Sequence, residues 1–95
     1  LLLGAAFNYV GATALQLMLA QQAGLRPGEL IWVGGDVHLY LNHLEQARQQ
    51  IGREPHPFPK MSLVRRPESI DGYRIEDFLV EDYSPHAPIR AEVAV

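Results

Sequence analysis

The sequence holds no cysteine among its 95 residues, and that absence removes several kinds of chemistry at once. There is no disulfide framework, no thiolate metal site and no cysteine nucleophile within these residues. No apolar run approaches the ~20 residues that carry a helix across a bilayer. Repeats and low-complexity tracts are missing too. Charge of one sign is scarce: the net value of −3 gives no reason to expect nucleic acid or an anionic membrane as the main partner. The opening Leu1-Leu2-Leu3-Gly4 has no basic residue before it and meets polar Asn8 soon after, which argues against a signal peptide. With no initiator methionine, the start reads as a cut into a buried segment of a longer protein. What is present, 47% hydrophobic and 20% charged residues, describes an ordinary globular chain of one domain.

Local patterns place the elements. Residues from about Val10 to Ala23 predict a helix with little polar face, hence buried on most sides. Gly24 suits its C-terminal cap, and Pro27-Gly28 suits the centre of a type II turn. Leu30-Ile31-Trp32-Val33 is a continuous strand-forming run. Asn42-His43-Leu44-Glu45 has capping-box spacing for a second helix, with Leu44, Ala47 and Ile51 as its apolar stripe and Gly52 as its end. Pro55, Pro57 and Pro59 predict a stiff extended connector. Short strands are expected from Met61 to Arg65 and from Phe78 to Tyr83, with a turn from Ser69 to Gly72 between them. Helices mixed with segregated strands indicate an α+β class.

The chemistry concentrates in Gly34-Gly35-Asp36-Val37-His38-Leu39-Tyr40-Leu41-Asn42-His43. Alternation along an extended chain puts Val37, Leu39 and Leu41 on one face and Asp36, His38, Tyr40 and Asn42 on the other. His38 and Tyr40 then stand roughly 6.5–7 Å apart along the strand, a spacing that suits two hydrogen bonds to one small polar ligand. The plainer reading is a pair of satisfied polar residues on a sheet surface. The paired glycines allow a bulge or a close backbone approach. Asn8 offers a donor and an acceptor that match an amide-like edge such as uracil, although pattern alone favours a helix cap. The four histidines lack metal-ligand spacing, and no lysine follows Gly34-Gly35 to make a phosphate loop. Arg65-Arg66 reads as solvated or paired with acids, and the three serines suggest no catalytic triad.

The ordered set of motifs resembles thymidylate synthase, the folate-dependent family that methylates dUMP. The resemblance runs through Gly4, Phe7-Asn8, Ala20-Gln21-Gln22, the Gly34–His43 stretch and Arg53-Glu54-Pro55-His56-Pro57-Phe58-Pro59. It continues with Arg66-Pro67-Glu68-Ser69, Tyr73, Glu76-Asp77-Phe78, Tyr83, Pro85-His86 and Val93-Ala94-Val95. It covers essentially the whole chain, as the carboxy-terminal third of that protein. Departures from the usual pattern are Ala6, the Tyr9–Thr13 segment with Gly11, and Glu92.

The resemblance implies an α+β fold in which a mixed sheet packs with helices, only its C-terminal part being present here. It implies that Asn8 reads the pyrimidine edge and that His38 and Tyr40 hydrogen-bond the deoxyribose hydroxyl. Gly4 and Phe7 would lie beside the folate, Ala94 and Val95 would close over it, and Asp36 would shape the pocket. The implied reaction turns dUMP into dTMP with methylenetetrahydrofolate as cosubstrate and without metal. A cysteine thiolate attacks the uracil ring, and that residue, the phosphate-binding arginines and a folate-contacting aspartate would precede Leu1. The implied enzyme is a cytoplasmic homodimer with no membrane or nucleic-acid partner, and the segment alone would be inactive. The alternatives are a pyrimidine hydroxymethylase of the same family and a non-catalytic nucleotide-binding or dimerisation module.

Overall fold

A computed structural model describes residues 1–93. The long helix α1 spans Ala5–Ala23, α2 spans Leu44–Ile51, and strands β1 (Lys60–Leu63) and β2 (Phe78–Glu81) pair antiparallel. Short 3₁₀ turns occupy Leu41–His43, Ile70–Gly72 and Ile75–Asp77. The α+β class expected from the sequence is what the chain adopts.

Helix α1 begins five residues before the sequence-based expectation. Ala5 and Ala6 are strong helix formers, and Gly4 stands at the N-cap without any side-chain cap bond. Asn8 therefore lies inside the helix, its N–H bonded to the Gly4 carbonyl, and is not the cap that its residue type favours. The other end follows the pattern. Gly24 adopts φ +69°, its N–H reaches Gln21, and the Leu25 N–H reaches back to Ala20 at 2.8 Å. These two bonds make a Schellman closure, which needs the left-handed residue that glycine supplies cheaply. The type II turn at Pro27-Gly28 does not form: it requires positive φ at Gly28, and Gly24 is the described glycine with positive φ.

The segment 30–42 differs most from expectation. It contains no strand, because alternation sets which face a side chain takes but a strand also needs a neighbouring edge to bond. No described segment pairs with it. Gly34 nonetheless shows the close approach that its residue type allows: a Cβ there would collide with Val37 and the Trp32 ring. Trp32 in turn meets Tyr9 of α1 edge to face at 5.4 Å. The capping box at Asn42 is likewise absent. The chain turns through Leu41–His43 before α2, so His43 occupies the N-cap and no side chain caps it.

β1 and β2 lie where the sequence reading puts them, with Met61 opposite Val80 and Leu63 opposite Phe78. The long connection between them is organised by one ion pair. Arg65 donates from Nε and Nη2 to the two carboxylate oxygens of Asp77, both at 2.7 Å, and again from Nη2 to the Gly72 carbonyl. Asp77 also accepts the Arg74 N–H at 2.8 Å and is only 4% exposed. The Arg65 hydrogen bonds, then the Arg74 N–H, hold the Asp77 carboxyl below its ordinary range. The same contact raises Arg65. A second node joins α1 to this connection: Tyr73 donates to Gln21 Oε1 at 2.6 Å, while Gln22 donates to Tyr73 and to the Pro67 carbonyl.

These contacts leave much apolar surface open. Among the described residues Pro67 is the one buried apolar side chain and none of α1 is buried, so the expected burial of α1 on most sides does not occur. Among the regular elements α1 meets chiefly β1 and the Ile70–Gly72 turn, with Trp32, Tyr73 and Pro67 adding contacts from the loops. The accessible area is 8094 Å², against about 5,500 Å² for a compact monomer of this mass. The radius of gyration, 16.3 Å, likewise exceeds the ~12 Å of a compact chain this long.

Candidate functional site

The loop 34–43 brings His38 and Tyr40 together without a sheet. Their rings meet edge to face, centroids 5.4 Å apart at 81°. Tyr40 meets His43 in the same manner, at 5.9 Å and 88°. Three rings thus follow one another from the exposed loop to the start of α2. Asp36 Oδ1 stands 3.5 Å from His38 Nδ1, but the two side chains are 94% and 59% exposed, so water screens the pair. Neither His38 Nε2 nor the Tyr40 hydroxyl is hydrogen-bonded among the described residues, which leaves both polar tips available to a ligand.

Asn8 and Phe7 occupy the first turns of α1. Asn8 is exposed, and no hydrogen bond among the described residues joins it to His38 or Tyr40. Phe7 is 78% exposed and borders two grooves. One, of about 390 Å³, includes Leu3, Arg53, Tyr83 and Ile89. The other, of about 570 Å³, includes Val10, Lys60, Met61 and Tyr83. Gly4 caps α1 with open space where a Cβ would stand. Ala94 and Val95, assigned to the closing tail, lie outside the described residues. Among the described residues no group of three His, Asp or Glu side chains converges as a metal site, and no helix is long and apolar enough to cross a membrane.

Sequence reasoning missed the way the C-terminal stretch is held. From Ser84 to Glu92 the chain is a strap with no ladder, and its carbonyls are taken by side chains. His56 Nδ1 donates to Ser84 at 2.6 Å, Arg53 to Ala87 at 2.8 Å, Gln46 to Arg90 at 3.4 Å and His43 Nε2 to Glu92 at 2.6 Å. In the reverse direction His86 Nε2 donates to the Glu54 carbonyl at 2.7 Å, and its ring stacks on His56 with centroids 3.9 Å apart. A carbonyl oxygen only accepts, so each of these imidazole nitrogens carries the proton.

The thymidylate synthase family model matches residues 1–95. The chain belongs to the thymidylate synthase family. A thymidylate synthase of Rhodopseudomonas palustris (strain BisA53) is 75% identical over 95 residues, all of this chain and 32% of the relative. One of Rhizobium rhizogenes (strain K84) is 60% identical over the same 95 residues, 31% of that protein. One of Zymomonas mobilis subsp. mobilis (strain ATCC 31821) is 57% identical over 93 residues, 98% of this chain and 31% of the relative. The chain thus spans about a third of the length of the curated thymidylate synthases it matches.

Proposed function

We propose that these residues are the nucleotide-reading and tail-bearing part of a thymidylate synthase, which reductively methylates dUMP to dTMP. The observation that carries this reading is the His38–Tyr40 pair: two rings fixed against each other with both polar tips unbonded. Such a pair offers a hydroxyl of deoxyribose two partners without first breaking an internal bond. Asn8 supplies an amide with no competing side-chain hydrogen bond among the described residues, so it can donate to one uracil heteroatom and accept from the neighbouring N–H.

Methylenetetrahydrofolate fits the ground around Phe7, because an exposed ring between two grooves suits a flat aromatic ligand. When bound, that cosubstrate supplies the one-carbon unit and the hydride. The residues of this chain bind and orient: Phe7 and Gly4 toward the folate, His38 and Tyr40 toward the sugar, and Ala94 and Val95 to cover the folate and exclude water. The carboxy-terminal placement rests on the motif order. The nucleophile and the phosphate-binding arginines belong to further polypeptide and to the second subunit of a cytoplasmic homodimer, and the uncovered apolar faces support such packing.

The test compares this chain with the full polypeptide that carries it, following dihydrofolate formation from dUMP and methylenetetrahydrofolate. Turnover is expected from the full polypeptide only. Turnover by the 95 residues alone would refute the assignment of the nucleophile elsewhere, and a hydroxymethylated product would make the protein a hydroxymethylase. In the full polypeptide, Asn8→Asp is expected to shift binding from dUMP toward dCMP. An unchanged preference removes Asn8 from the pyrimidine edge.

A further inference from the structure

We propose that His43 is a positioning residue that ties the base of the C-terminal tail to the nucleotide-reading pair. The proposal deepens the thymidylate synthase reading and rests on it for what the tail covers. His43 is 2% exposed, and its Nε2 donates to the Glu92 carbonyl, two residues before Ala94. The other side-chain bonds to the strap, from Gln46, Arg53 and His56, are exposed and compete with water. The His43 bond is the one whose donor side chain is buried, so water competes with it less than with the other three. On its other side His43 packs against Tyr40, and Tyr40 against His38. A ligand that orders His38 and Tyr40 therefore presses on the ring whose far nitrogen holds the tail's base.

Two substitutions in the full-length protein separate the donor from the ring. His43→Phe keeps an aromatic edge for Tyr40 and removes the donor. His43→Gln restores a donor near the Nε2 position. The readouts are carboxypeptidase trimming of the tail with and without dUMP, the dUMP dissociation constant, and KM for methylenetetrahydrofolate. In the unsubstituted protein dUMP is expected to slow trimming. His43→Phe is expected to speed trimming and raise the folate KM by about fivefold, the worth of one hydrogen bond, with dUMP affinity within about twofold. His43→Gln recovers most of the difference. Unchanged trimming in His43→Phe, or no recovery in His43→Gln, overturns the proposal. Nitrogen NMR of the unsubstituted protein supplies a readout independent of whether the variants fold. A proton on Nε2 that exchanges slowly is expected, and the Nδ1-protonated form overturns the assignment. Absence of folate-dependent turnover in the unsubstituted protein would remove the enzyme reading, while trimming and NMR still judge the anchor.

Discussion

A double-mutant cycle on His38 and Tyr40 tests whether the two rings act as one unit on the nucleotide. Tyr40→Phe keeps the ring that His38 packs against and removes one hydroxyl, so it costs one hydrogen bond. That is about 1 kcal/mol, or roughly fivefold in the dUMP dissociation constant. His38→Ala removes a hydrogen bond and also the edge-to-face contact seen at 5.4 Å. Such aromatic contacts contribute about 0.5–1.5 kcal/mol. The His38 side chain is 59% exposed and Tyr40 48%, which argues for the low end. The expected loss is about 1.5–2 kcal/mol, or roughly 10- to 30-fold. With the imidazole gone the Tyr40 hydroxyl loses its aim, so the double variant should lose less than the two single losses together, by about 0.5 kcal/mol or more. Isothermal titration with dUMP on the full polypeptide measures all four corners. Additivity within about 0.3 kcal/mol would show that the rings act independently. Unchanged affinity in His38→Ala would remove the pair from the site.

Other substitutions probe the fold that holds this site. Gly24→Ala forces a Cβ into left-handed backbone and should cost about 1–2 kcal/mol in urea unfolding. An unchanged midpoint would contradict the Schellman closure. Gly34→Ala meets Val37 and Trp32, so it should displace the Trp32 ring from Tyr9 and change tryptophan fluorescence. The same spectrum as the parent would show that the loop yields freely. The Asp77 carboxyl is lowered in the folded chain, so its contribution to stability is complete above the ordinary carboxylate value of about 4 and fades as pH falls through the lower, folded value. Asp77→Asn should therefore lower stability near neutral pH and flatten its fall in acid. An identical acid dependence would refute the role given to Arg65.

Legibility in the sequence followed the range of the interactions involved. Gly24 could be read because a helix end is decided within five residues. β1 and β2 could be read because their turn chemistry and apolar content lie close together in the chain. The segment 30–42 was misread because alternation reports the faces of an extended chain and not the presence of an edge to pair with. Its faces were still informative: His38 and Tyr40 do meet, and the family match covers them. The start of α2 differs because Asn42 sits inside a 3₁₀ turn, closed by the His43 N–H on the Tyr40 carbonyl, which moves the N-cap one residue on to His43. The strap was invisible for another reason. Bonds from His43, Gln46, Arg53 and His56 to carbonyls 28 to 49 residues away leave no period in the sequence.

The strap is docked through its carbonyl oxygens, and every residue type has one. Pro85 and Pro88 cost nothing there, because no N–H of 84–92 is asked to bond among the described residues. The donors on the body of the protein carry most of the address, and from the strap itself the His86 side chain answers by bonding the Glu54 carbonyl and stacking on His56. Tails of equal length that keep His86 could thus be exchanged onto this dock, which makes the strap a replaceable cassette and the donors its socket.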